Sequence, residues 1–217
     1  MAGSYLQEKV HTKIKQVAEK LAGVQGTDGA WRYCFESGTV TDAYMIILLR
    51  HLNIHDETYI NQLVARIISK QQRSGAWKLF YDEPRGNLSA TIECYYALLL
   101  AGYNKEGPIL KKAGDFIRSM GGPHEAGSLT RVMLALTGHY DWNNLPDIPV
   151  EIVLLPTWFP VNFYDFVGYA RVHSAPILIC AANKYSHKLP GYDLIDLYPS
   201  GSRQVPPSES PQILQLR

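Results

Sequence analysis

Cysteine is scarce in this chain. Its 217 residues hold three, Cys34, Cys94 and Cys180. They are odd in number, far apart, and lack the C-x-x-C spacing of a thiolate metal site. That pattern excludes a disulfide framework and fits a reducing compartment. An excess of one charge is also missing: 21 Lys and Arg stand against 20 Asp and Glu, a net charge of +1. Nothing in that balance favours nucleic acid or a strongly anionic partner. No apolar run approaches the length of a membrane span, and residues 1–9 lack the apolar segment of a signal peptide. The expectation is a cytosolic protein that touches a membrane, if at all, without crossing it. No Gly-rich phosphate loop and no Gly-x-Ser-x-Gly elbow occur. His51 and His55 are four apart, a spacing that can bind a metal on one helix face, but no third ligand is evident.

What the sequence does have is apolar and aromatic bulk. Hydrophobic residues make up 46% and aromatics 11%, with fourteen Tyr and four Trp. That is enough for a real core and for aromatic-lined surfaces besides. One heptapeptide organises the rest. Residues 71–77 read Gln-Gln-Arg-Ser-Gly-Ala-Trp, and residues 25–31 read Gln-Gly-Thr-Asp-Gly-Ala-Trp. Both fit Gln-x-x-x-Gly-x-Trp, and both follow a helix-periodic segment. Their starts lie 71 − 25 = 46 positions apart, a spacing that suits a repeat of helical hairpins. Gly29 and Gly75 permit the positive φ of a sharp turn. Gln25 and Gln71 can offer an amide to helix-end groups left without partners. Trp31 and Trp77 supply apolar area with one N–H to satisfy. Nothing in either heptapeptide is a nucleophile or a tuned acid, so both read as structural turns.

Apolar residues at helical spacing predict a helix over 5–22, with Leu6, Val10, Ile14, Val17 and Leu21 on one face. A second is predicted over 41–52, apolar almost all round from Met45 to Leu49, as a core helix should be. Asp56 caps a third that runs to about Lys70. Asn87 or Ser89 caps a fourth that stops at Gly102. Further helices are predicted over 106–120 and 128–137. Pro146, Pro149, Pro156 and Pro160 then break an aromatic stretch into irregular or short-helical pieces. A last helix is predicted from about Asn162 toward Asn183, bent at Pro176. From Leu189 the Pro- and Ser-rich remainder reads as a linker or loose tail. No period-2 strand pattern is present, so the class is all-α, built from antiparallel helix pairs.

Two segments carry candidate chemistry. Glu93 lies between Ile92 and Cys94, where a buried carboxyl needs a partner or a raised pKa. A structural hydrogen bond is the favoured reading. Residues 155–171 are dense in aromatics: Trp158, Phe159, Phe163, Tyr164, Phe166 and Tyr169. On a helix starting near Asn162, Tyr169 lies one turn beyond Phe166. Such a face could line an apolar cavity or be ordinary core.

The paired Gln-x-x-x-Gly-x-Trp motifs resemble the QW repeats of squalene–hopene cyclase and related class II terpene cyclases. The block from Gly75-Ala76-Trp77 to Asn87-Leu88-Ser89-Ala90-Thr91-Ile92-Glu93 looks like the segment that follows such a repeat. Residues 155–171, ending Phe-Tyr-Asp-Phe-Val-Gly-Tyr-Ala-Arg, look like the family's Pro-rich aromatic block and its Tyr-(Asp/Glu)-Phe-x-x-Trp-Ala-Arg helix. The likeness covers nearly all of the chain to about Lys188. It is nearest to the bacillus-type branch, squalene–hopene and tetraprenyl-β-curcumene cyclases.

The resemblance implies an α/α-barrel, or toroid, here incomplete. Residues 1–22 would be the first helix of the catalytic barrel, residues 23–188 the N-terminal part of an inserted second barrel, and 189–217 a linker or tail. Most of the catalytic barrel would come after Arg217. The family protonates its substrate with an Asp-x-Asp-Asp motif, which is absent; Asp193 and Asp196 are the nearest approach, with the wrong spacing. No catalytic residue is therefore assigned, and the chain alone is expected to be inactive. What the likeness implies for it is cavity wall. Tyr169 stands where the family has a cavity-facing Trp, Phe166 at its narrow entrance, Leu129 where Phe is common, and Ser174 at a position usually apolar. The implied reaction is a carbocationic cyclisation of a linear polyprene, without metal or other cofactor. The implied partners are that polyprenyl hydrocarbon, the remaining C-terminal catalytic portion and, through exposed apolar surface, a second copy. The implied location is peripheral, on the inner face of the cell membrane. A stand-alone α-helical lipid-binding or interaction module is the alternative. An α/α-barrel glycosidase would need paired carboxylates, and none is seen.

Overall fold

The computed structural model describes residues 2–31, 38–80, 82–160 and 162–199, with side chains from Tyr5 onward. Among them are seven α-helices and no strand. The class is all-α. The chain divides into two compact units, Met1–Glu36 and Ser37–Arg217.

The first unit is α1 (Ala2–Gly23) and the turn after it. The predicted stripe of Leu6, Val10, Ile14, Val17 and Leu21 is present, and all five side chains are exposed.

The second unit is built from α2 (Val40–His51), α3 (Glu57–Ser69), α4 (Leu88–Leu100), α5 (Pro108–Ser119), α6 (Ser128–Leu136) and α7 (Gly168–Ala182). Its axis is α4. From Ala90 to Leu100 every side chain is buried, which a helix tolerates only when packed on several sides. It lies against α2 and α5, with α3 on α2, and it also touches α6 and the turn Pro123–Glu125. Burying a large apolar side chain such as Ile92 or Leu98 contributes about 1.5–3 kcal/mol, and both are fully enclosed. Predicted caps hold: the side chain of Asp56 accepts from the Tyr59 N–H, and that of Asn87 from the Ala90 N–H.

Three expectations need correction. The core helix is α4, not α2. In α2 Ala43, Ile46 and Ile47 face inward while Met45 and Leu48 are exposed. The last helix begins at Gly168, not near Asn162. Asn162 caps a single 3-10 turn, Phe163–Asp165, by accepting from the Tyr164 N–H. Phe166 and Val167 are then extended, with ψ of 143° and 147°, before α7 starts. The loose tail expected from Leu189 is packed as far as Pro199. Leu194 and Leu197 are buried. The Tyr95 hydroxyl donates to Asp196 Oδ2 at 2.7 Å, and Arg118 donates to the Asp196 carbonyl at 2.8 Å. Apolar residues spaced among prolines found a core groove that composition alone does not reveal. Residues 200–217 lie outside the described ones.

Candidate functional site

The two heptapeptides share a set of hydrogen bonds. In each, the Gln amide donates to the Gly carbonyl four residues on, Gln25 to Gly29 at 2.7 Å and Gln71 to Gly75 at 2.9 Å. Each Trp indole donates to a carbonyl in the last turn of the preceding helix, Trp31 to Leu21 at 2.9 Å and Trp77 to Ile67 at 2.7 Å. The helix-end group is thus met by Trp, not by Gln as the sequence suggested. Gly29 and Gly75 have φ of +79° and +89°. The copies differ in burial: Trp77 is 0% exposed and Trp31 50%. Gln71 also donates to the Ile109 carbonyl of α5 at 3.0 Å, and the Trp77 carbonyl accepts from the Asn87 N–H at 2.7 Å. One turn therefore joins α3, α4 and α5.

The α6 and α7 helices and residues 142–148 enclose a cleft of about 530 Å³, within the range of small-molecule sites. Its walls are largely apolar, with Val132 from α6, Leu145 and Ile148 from the loop, and Ile177 and Leu178 from α7. Leu129 and Ser174 both line it. The loop is tied down by Trp142 Nε1, which donates to the Tyr185 carbonyl at 2.9 Å, and by Lys184 Nζ on Asn143 Oδ1 at 2.6 Å. Trp142 is a cleft residue that sequence reasoning missed. Its role follows from contact with Tyr185, just after α7 and 43 residues on, for which no local pattern exists.

Phe166 and Tyr169 do not line this cleft. Because Phe166 is extended, the helical relation between the two is lost. Phe166 packs toward Phe163, with ring centroids 6.3 Å apart. Tyr169, in the first turn of α7, lies against the His173 ring at 4.3 Å and is 77% exposed. Two of the four residues assigned to the cavity are brought together, and two present their rings outward.

Glu93 is buried and its Oε1 accepts from Tyr44 at 3.0 Å and Thr130 at 2.6 Å. Burial raises its pKa, against the lowering effect of those two hydroxyls. Burial pushes Asp193 up, but the hydrogen bond and charge of Lys105 outweigh it and leave the carboxyl below its ordinary value. An acid that protonates an alkene needs the opposite bias. Burial also raises the thiols of Cys94 and Cys180, which favours the unreactive protonated form. Cys34 lies outside the described residues. Among the described residues no group of three or more His, Cys, Asp or Glu is placed to hold a metal ion, and no helix is long and apolar enough to cross a membrane.

Residues 14–215 match the model of the squalene–hopene cyclase N-terminal domain. The chain is 37% identical to sporulenol synthase of Bacillus subtilis over 183 residues, which cover 83% of this chain and 29% of that enzyme. It is 32% identical to squalene–hopene cyclase of Zymomonas mobilis, over 83% of this chain and 28% of the relative. To dammaradiene synthase of Dryopteris crassirhizoma it is 33% identical, over 87% and 27% respectively. The chain thus spans under a third of the length of the curated relatives it matches. With its helical core, its paired Trp-anchored turns and this match along most of its length, the chain belongs to the squalene–hopene cyclase N-terminal domain family.

Proposed function

We propose that this chain forms part of the wall of a class II triterpene cyclase, the N-terminal portion of an incomplete α/α-barrel assembly. The observation that carries the reading is a family match over residues 14–215 in a sequence with no Asp-x-Asp-Asp. The initiating acid then comes from a further polypeptide segment, and the chain alone does not turn over substrate. The substrate is a linear polyprene such as squalene or tetraprenyl-β-curcumene. Protonation starts the reaction, rings close through cations, and a base or water ends it. Leu129 and Ser174 border the hydrocarbon from the α6–α7 cleft. Tyr169 and Phe166 offer aromatic faces to it once the rest of the barrel is in place. An aromatic face stabilises a developing carbocation by about 0.5–2 kcal/mol per ring, and a dry pocket protects that cation from water. Tyr169 in place of the family's Trp has a weaker π-surface and a hydroxyl to satisfy. A bilayer-dissolved substrate favours peripheral contact with the inner face of the cell membrane.

The cleft favours a second reading, a stand-alone module that binds a lipid without converting it. Turnover separates the two. Squalene and tetraprenyl-β-curcumene are offered in detergent to this chain alone, and to this chain with an Asp-x-Asp-Asp-containing partner polypeptide. Product only with the partner is the expected result. Product from the chain alone would place an initiating acid within these 217 residues and refute the wall assignment. Saturable binding without product in both mixtures would favour the module.

A further inference from the structure

The four-residue spacing that drew attention to His51 and His55 does not survive folding. The α2 helix ends at His51, Asn53 turns the chain at φ +57°, and His55 Nε2 pairs with Asn53 Oδ1 at 2.9 Å. His51 meets a different histidine instead. Its Nδ1 stands 3.3 Å from Nδ1 of His187, 136 positions away, with the ring centroids 5.3 Å apart.

We propose that His51 and His187 form a two-histidine site for a divalent ion of the zinc class, which pins the segment after α7 to the end of α2. The spacing is the first argument. Zinc–imidazole bonds of about 2.0–2.1 Å at a tetrahedral angle set two ligand nitrogens about 3.3–3.4 Å apart. The observed separation agrees, and it exceeds the usual range of about 2.7–3.2 Å for an N–H···O hydrogen bond. The second argument is orientation. His51 Nε2 lies 3.0 Å from the hydroxyl oxygen of Tyr96, which sits on the buried α4. If Nε2 carries the proton and donates it there, Nδ1 keeps its lone pair for the ion. Metal-binding histidines are commonly fixed in this way. Imidazole suits zinc, copper and nickel and not magnesium. His139 packs on the same Tyr96 ring at 4.9 Å but is not a third ligand. Water completes the coordination, so binding is weaker than in a closed structural site. None of the cleft-lining residues takes part. The pinned segment is already held on its other side, where the His187 N–H donates to the Leu136 carbonyl at 2.7 Å. The ion adds the link to α2.

The test uses the full chain, freed of metal with EDTA and dialysed to pH 7.5. Thermal unfolding is followed with and without about 100 µM zinc chloride, with magnesium as control. An ion that binds only the folded state raises the melting midpoint, here by about 2–4 °C. The shift is expected to vanish in His187→Ala and in His51→Gln, to persist in His55→Ala, and to disappear near pH 5.5, where imidazoles take up protons. His187 is exposed, so its variant should fold, and circular dichroism checks this. No zinc shift in the parent chain, or an equal shift in His187→Ala, would overturn the site and leave an imidazole–imidazole hydrogen bond.

Discussion

Glu93 accepts two hydrogen bonds, yet burial keeps its carboxyl above the ordinary value near 4.5. A group raised in the folded state lends its full stability below the unfolded pKa and loses it as pH rises through the folded one. Glu93→Gln keeps an oxygen for Tyr44 and Thr130 and cannot ionise. It should be more stable than the parent at pH 8, with the gain shrinking toward pH 5. Urea midpoints at both values decide this. A variant equally destabilised at the two would show that the second carboxylate oxygen matters more than the charge. His139 acts in the other direction. Burial, then the charge of Lys188, lowers it from 6.5 to about 3, and its Nε2 has no hydrogen-bond partner among the described residues. The unfolded chain takes up a proton below about pH 6.5 that the folded chain refuses until about pH 3. Stability tied to His139 is therefore complete above that window and falls within it. In His139→Leu the acid limb of the stability curve should flatten, and a limb as steep as the parent's would sink the assignment. Glu93 was legible because a lone carboxylate inside an apolar helix is conspicuous. His139 was not, since Gly-His-Tyr after a helix reads as a surface turn, and the contacts that cover it, the Tyr96 ring and Tyr198, are distant in sequence.

The turn at 71–77 gives the element-scale case. A Cβ on Gly75 would lie 2.4 Å from the carbonyl carbon of Lys112 and would need φ of +89° as well. Positive φ costs an L-residue about 1–2 kcal/mol by itself, and the backbone of α5 cannot step aside as a flexible side chain could. Gly75→Ala should therefore cost more than about 2 kcal/mol in the main unfolding transition. The matched substitution Gly29→Ala meets nothing nearer than 3.9 Å and should leave that transition in place. Equal losses from both would mean that the close approach to α5 contributes nothing. Helix identity was readable here because Asp56, Asn87 and the Gln-x-x-x-Gly-x-Trp turns punctuate it locally. Helix burial was less so. The apolar run 45–49 looks as enclosed as 97–100, yet Met45 and Leu48 are exposed, while Ala43, Ile46 and Ile47 are buried and α2 packs on α3 and α4. The start of α7 was misjudged because Asn162 is a genuine cap, but of one 3-10 turn. Nothing local distinguishes a cap that is followed by a helix from one that is followed by extended chain.

Across the whole molecule, apolar side chains stand exposed in a run. Leu154, Trp158, Phe159, Tyr164, Phe166, Val167, Tyr169, Val172 and Ile179 all fall within 26 residues and are all open to solvent. Monomers seldom leave contiguous apolar surface of that kind uncovered. Which surface covers it was not legible, because amphipathic periodicity identifies an apolar face and not its mate. In the proposed cyclase the mate is the remainder of the barrel. With that partner missing, the chain should self-associate. Sedimentation velocity at rising concentration should show a growing average mass. The double variant Trp158→Ser and Tyr169→Ser should sediment as a smaller species. Its melting midpoint should stay close to the parent's, since the two side chains are 81% and 77% exposed and such sites usually change stability by no more than about 0.5 kcal/mol. A parent chain that stays monomeric would count against an open wall and in favour of a module complete in itself. If the double variant still associates, the cohesive surface lies elsewhere, and the exposed apolar stripe of α1 becomes the first place to look.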